Sequence, residues 1–204
     1  GQSERTAGED QGAGLSANQE MANREAIREL QTRLAHRLRT ARDEGLSVSW
    51  LAVRCAGMNY LLPLAQSGEI FPITAVQPVP YAQPWFLGVV NLRGGLFGVV
   101  NIAQYVASET GQVAGGGAQR KPGAAPLVVT LNAALDVNCA LLVDELAGLR
   151  NPQAFSAALP RDPQAPPYYG NRFTDAGGQS WQEINIQTLS QHPRFLSITA
   201  QAHP

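Results

Sequence analysis

Cysteine is almost missing from this 204-residue chain, which holds only Cys55 and Cys139. Two cysteines cannot make a disulfide framework, and nothing in the sequence demands an oxidising compartment. Charge is scarce too, at 15% of residues, with 15 Lys+Arg against 16 Asp+Glu and a net charge of -1. That balance argues against the concentrated basic surface of a nucleic-acid binder. So little charge also leaves surface that is expected to meet a partner. No apolar run approaches the ~18 residues that cross a bilayer. The first 20 residues carry no basic stretch followed by an apolar one, so no export signal is expected and the chain is expected in the cytoplasm.

Catalytic patterns are missing as well. His36, His192 and His203 have no second ligand at zinc spacing, and each cysteine stands alone. There is no Walker sequence, no GxGxxG after a strand and no GxSxG elbow. The run Gly115–Gly117 lacks the strand–turn–helix setting that cradles phosphate. Asp144 and Glu145 are adjacent in an expected strand and therefore point to opposite faces, so an acid/base pair would need Glu69 or Glu183 from elsewhere. The expectation is a protein with no enzymatic activity, no cofactor and no metal.

What is present is a hydrophobic fraction of 44%, enough for a core. Residues 1–20 have almost no large apolar side chain and read as a disordered tail, or as a remnant upstream of Met21. Residues 21–45 read as an amphipathic helix. Ile27, Leu30, Leu34, Leu38 and Ala41 make one stripe, Glu25 and Glu29 sit early, Arg37, Arg39 and Arg42 sit late, and Gly45 stops it. Six arginines from Arg24 to Arg42 fit two readings: a helix packed on its own domain with a solvated basic face, or an arm toward a membrane or an acidic partner. The first is the expectation.

Residues 46–204 switch to period two and short apolar runs. Strands are expected at 47–54, 58–64, 88–92, 96–102, 126–133, 138–146 and 194–200. Residues 102–107 fit one or two helical turns. No ten-residue helical pattern separates successive strands, which disfavours a parallel sheet. Residues 108–125 read as a Gly-rich loop, and the Pro-rich stretch 151–183 as a short helix around Ala154–Leu159 or an ordered excursion. About 150 residues exceed one five-stranded barrel. The predicted fold is mainly β, two small five-stranded SH3-like barrels side by side, with the helix added in front.

The most distinctive run is Trp85-Phe86-Leu87-Gly88-Val89-Val90-Asn91-Leu92-Arg93-Gly94-Gly95. It reads as a strand ending in a tight turn, with Gly94 and Gly95 free to take positive φ, and it puts the Arg93 guanidinium at an exposed turn. Five donors in a planar fork suit a partner's carboxylate or backbone carbonyls. This run resembles the hairpin of the CheW family of chemotaxis adaptors. Tyr60–Leu64, Glu69-Ile70, Pro78-Val79-Pro80 and Leu141–Leu146 fit the family's other motifs in the same order, so the resemblance covers roughly residues 46–200.

That resemblance implies a double-barrel adaptor bridging the cytoplasmic tip of a chemoreceptor, a methyl-accepting protein, to the regulatory domain of a CheA-type histidine kinase. Partners would be these two proteins, with no nucleic acid, and with the membrane met only through receptor clusters. Glu69, Ile70, Gly88, Asn91, Arg93 and Gly94 fall where the family binds its receptor, beside an apolar groove between the barrels. Asn101 stands where many members have Asp, and Ser67 at an often aliphatic site, which would thin the groove. The extra helix and loops resemble the PilI-type branch that serves type IV pilus (twitching) motility. The alternative is an OB- or SH3-like barrel binding a small molecule or nucleic acid. Against it, the region has one lysine, Lys121, and the chain is only 7% aromatic.

Overall fold

The structure, a computed structural model, describes residues 10–43, 49–73, 75–111, 126–193 and 195. The chain divides into two compact units, Gly1–Arg37 and Leu38–Pro204.

The described residues of the first unit, 10–37, are helical. Helix α1 spans Asp10–Asp43 and so begins inside the segment expected to be a tail. Ala13, Leu15, Ala17, Gln19 and Glu20 are good helix formers, and Gly12 and Gly14 cost only about 1 kcal/mol each. Asp10 also places negative charge at the positive end of the helix dipole. The expected stop at Gly45 lies outside the described residues.

The second unit is β-rich. Strands β1 (Trp50–Cys55), β2 (Met58–Pro63), β3 (Ser67–Pro72), β4 (Phe86–Leu92) and β5 (Gly95–Asn101) lead into helix α2 (Ile102–Thr110). Strands β6 (Leu127–Leu131), β7 (Cys139–Val143), β8 (Glu145–Arg150), β9 (Phe155–Leu159), β10 (Tyr169–Asp175) and β11 (Ser180–Ile184) follow, then helix α3 (Ile186–Gln191). They form a six-stranded sheet in the order β8-β1-β2-β11-β10-β9 and a five-stranded sheet in the order β3-β6-β7-β5-β4. Both are mixed: β11 runs parallel to β2 and β5 parallel to β7, and every other pairing is antiparallel.

The two small β units were expected, but one has six strands rather than five. The added strand is β9, where a short helix at Ala154–Leu159 was one expectation; after a 3₁₀ turn at Pro152–Ala154 the chain extends and pairs with β10. Phe155 anchors it, packing against Trp50 and Phe173 with ring centroids 5.7 and 5.2 Å away. The ordered excursion is therefore the form taken.

The expected strand 138–146 is two strands in different sheets. The chain leaves the six-stranded sheet after β2, builds the whole five-stranded sheet from β3 to β7, and returns at β8. Asp144 sits at the return, a bend between β7 and β8, and its Oδ2 accepts the Ala56 N–H at 2.7 Å. The α2 segment is helical because Asn101 Oδ1 accepts the Gln104 N–H at its start and Gly111 takes φ 69° at its end. Of the expected final strand, Arg194 and residues 196–200 lie outside the described residues, as do residues 112–125 of the Gly-rich loop. Phe195, the one described residue of that expected strand, is helical rather than extended, and it is buried with its ring edge-on to Tyr105, centroids 5.9 Å apart.

Both sheets roll up without closing their ladders among the described residues. In a flat five-stranded sheet the edges would lie roughly 19 Å apart. Yet Arg93, just after edge strand β4, reaches Glu69 on edge strand β3 at 2.9 Å. In the other sheet, Trp50 on β1 touches Phe155 on β9, four strands away. Side chains fill the space each curl encloses: Val99, Val128, Ala140, Leu92 and Ile73 in one, Trp50, Ala52, Leu61 and Trp181 in the other.

Candidate functional site

The β4–β5 hairpin pairs Leu92 with Gly95, leaving Arg93 and Gly94 as a two-residue turn. Both take positive φ, 49° and 78°, which is the pattern whose twist matches the flanking strands. The expectation had put positive φ at Gly94 and Gly95; the register moves it one residue back, onto Arg93. Asn91 closes the turn, its Oδ1 accepting the Gly94 N–H at 3.0 Å. Asn91 is thus occupied in shaping the tip.

Arg93 is 64% exposed; its Nη1 donates to Glu69 Oε1 at 3.0 Å and lies 2.9 Å from Oε2. Glu69 is held from behind, where its backbone N–H donates to Thr130 Oγ1 at 2.8 Å. The guanidinium carbon lies 5.3 Å from the centroid of the Phe71 ring. An ion pair this exposed contributes about 0–1 kcal/mol, so it orients the guanidinium more than it stabilises the fold. Among the described residues only Nη1 makes a hydrogen bond or ion pair, and most of the side chain is exposed to solvent.

Sequence reasoning missed Phe71. Period-two alternation on β3 puts residues 69 and 71 on one face, so the signal lay two residues beyond Glu69. Leu96 was also missed as an outward residue; it pairs with Asn91 and is 49% exposed beside the turn.

The other expected site residues separate into display and support. Gly94 is exposed at the tip with nothing within 4 Å of its missing side chain. Ile70 is half-buried in β3 and paired with Val129. Gly88 is buried at φ 137°, where an added Cβ would stand 2.0 Å from the Gln77 carbonyl oxygen. Gln77 and Val89 exchange two backbone hydrogen bonds of 2.9 Å there, covering the outer edge of β4. Gly88 therefore permits a close backbone approach. Ser67 does not thin a groove wall: it is fully buried and its hydroxyl donates to the Pro63 carbonyl at 2.9 Å.

The carboxylates considered for catalysis are dispersed. Glu69 meets Arg93, Asp144 meets the Ala56 amide, Glu145 meets Arg54 at 3.2 Å, and Glu183 accepts the Trp50 indole N–H at 2.5 Å. No three His, Cys, Asp or Glu among the described residues are grouped to hold a metal ion. Both thiols are buried. Burial pushes Cys139 up to about 12, and burial with the Asp144 charge raises Cys55 further, so neither is a nucleophile near neutral pH. What the arrangement offers is an exposed, oriented cation on a stiff hairpin.

Comparison with known proteins finds similarity over most of the chain. The family model of the CheW-like domain matches residues 49–194. Protein PilI of Pseudomonas aeruginosa is 26% identical over 169 residues, covering 81% of this chain and 88% of that protein. The crystal structure of the scaffolding protein TtCheW from Thermoanaerobacter tengcongensis superposes with a TM-score of 0.55 at 12% identity, covering 73% of this chain and 96% of that one.

Proposed function

The chain belongs to the CheW-like domain family, and from that premise we propose that it is a non-catalytic adaptor coupling a chemoreceptor to a CheA-type histidine kinase. The observation that carries this reading is the outward display of Arg93, fixed by Glu69 and Phe71 on a two-residue turn. A receptor's helical hairpin would present carboxylates or carbonyl groups to the free donors of the fork, with Leu96 and Phe71 as apolar neighbours. Arg93, Glu69 and Gly94 make the contact; Ile70, Gly88 and Asn91 hold the shape. The similarity to protein PilI supports a place in chemotaxis-like control of type IV pili, at receptor clusters on the cytoplasmic face of the membrane.

No bond changes in this mechanism. Receptor state is passed on through a difference in affinity of about 1–3 kcal/mol between two receptor conformations. Each contact can be weak, because an array supplies high effective concentration. The test is a reconstitution. With the receptor tip immobilised, the kinase regulatory domain is expected to be retained only when this chain is added. Equal retention without the chain, or none with it, contradicts the reading.

A further inference from the structure

Helix α1 carries a charge pattern that the adaptor reading leaves unused. At 3.6 residues per turn, Ile27, Leu30, Leu34, Leu38 and Ala41 fall in one stripe about 80° wide. Arg24, Arg28, Arg39 and Arg42 fall along one flank of that stripe, and Arg33 and Arg37 along the other. Glu25, Glu29, His36 and Asp43 fall on the opposite face. Of these, Arg24, Arg28 and Arg33 are exposed, and Leu30 is 63% exposed within the stripe. Among the described side chains, Arg33 pairs with Glu29, loosely at 3.8 Å with both side chains in water. From Arg24 to Arg42 there are six arginines and two glutamates, four net positive charges.

Cations on both flanks of a narrow apolar stripe, with acids behind it, complement a surface that is apolar below and anionic at its boundary. The stripe can sink between headgroups while the arginine stems lie along it and their charges reach phosphate. A coiled-coil partner would need the heptad to persist. Seven residues after Leu30 stands Arg37, and seven before Ile27 and Leu30 stand Glu20 and Asn23, so the seam lasts only about two heptads. No described helix is long and apolar enough to cross a membrane, so the geometry is that of a helix lying in the interface.

We propose that α1 binds the surface of an anionic phospholipid bilayer, giving the chain a membrane contact of its own, independent of any receptor. Each arginine near such a surface strengthens binding roughly fivefold, so the attachment is reversible and salt-sensitive.

The test is co-sedimentation of the full chain with vesicles of phosphatidylglycerol and phosphatidylcholine in equal parts, against phosphatidylcholine alone. Partition onto the anionic vesicles only, falling as salt is added, is expected. The triple variant Arg24→Gln, Arg28→Gln, Arg33→Gln keeps helix-forming side chains and should cut partition about a hundredfold. The variant Leu30→Ser with Leu34→Ser should also weaken it, whereas Arg93→Asp should leave it unchanged, which separates this proposal from the adaptor reading. Equal partition onto both vesicle types, or onto neither, overturns it. So does a leucine variant that lowers the melting temperature, or dissolves a dimer seen by light scattering, while vesicle partition stays the same. Those outcomes assign the stripe to the β-rich unit or to a second copy.

Discussion

Replacing Gly88 with alanine sets a methyl group against backbone atoms that cannot rotate away. The new Cβ would lie 2.0 Å from the Gln77 carbonyl oxygen and 2.6 Å from its carbon, at a φ of 137° that L side chains rarely adopt. One response keeps the backbone and stores strain of about 1–3 kcal/mol. The other lifts Gln77 off β4 and gives up both 2.9 Å hydrogen bonds with Val89, at about 1 kcal/mol each. Combining them in part, the expected loss is about 2–4 kcal/mol. For a chain of this size that lowers the melting temperature by roughly 5–15 °C. Thermal unfolding followed by circular dichroism reads it directly. Gly94→Ala is the control: φ is 78° but the space is open, so only the left-handed backbone cost of about 1 kcal/mol applies. If Gly88→Ala melts with the wild type, or no earlier than Gly94→Ala, the close-approach argument fails.

Arg93→Ala should change stability by less than about 1 kcal/mol, since its ion pair is exposed; a large drop in melting temperature would mean that the pair clamps the sheet edges. Cys139, pushed up to about 12, should resist alkylation in the folded protein near pH 8 and react only on unfolding; prompt labelling of native protein would contradict its burial. Because its folded value lies above the unfolded one near 8.5, its contribution to stability is full below that pH and is lost as pH rises toward 12, which alkaline melting curves of Cys139→Ala against wild type can show. Gln66→Ala removes the side-chain oxygen that accepts the Ile186 and Gln187 amides at 2.7 and 3.3 Å, so about 1 kcal/mol should be lost, and Gln66→Glu should retain it; identical melting of all three proteins would refute the cap.

How much of this was legible in the sequence follows from the range of each interaction. The hairpin 86–101, the paired strands 50–63 and the α2 turn were readable because alternation, glycine and capping act over a few residues. Strands β9, β10 and β11 were not, because their edges are polar and they are ordered by Phe155, Phe173 and Trp181 packing with Trp50 or across the sheet. The break at Asp144 was hidden inside an unbroken apolar run; only the sheet switch explains it. At the site, Arg93 at a hairpin tip could be argued locally. Its pairing with Glu69 could not, since the two lie 24 positions apart on opposite edges of one sheet and meet only because the sheet curls. The family resemblance brought both to attention, yet gave Gly88 and Asn91 the same standing as Arg93, and geometry divides them into backbone fit, turn closure and display.

Affinity of the receptor's isolated cytoplasmic tip for the wild type and for Arg93→Asp, by isothermal titration, addresses the central claim most directly. Asp tolerates the φ of 49° at this turn, so the hairpin should survive while the charge reverses. A loss of about 2 kcal/mol or more, roughly thirtyfold in Kd, with unchanged melting temperature is the predicted result. Equal affinity in a folded Arg93→Asp protein would contradict the account.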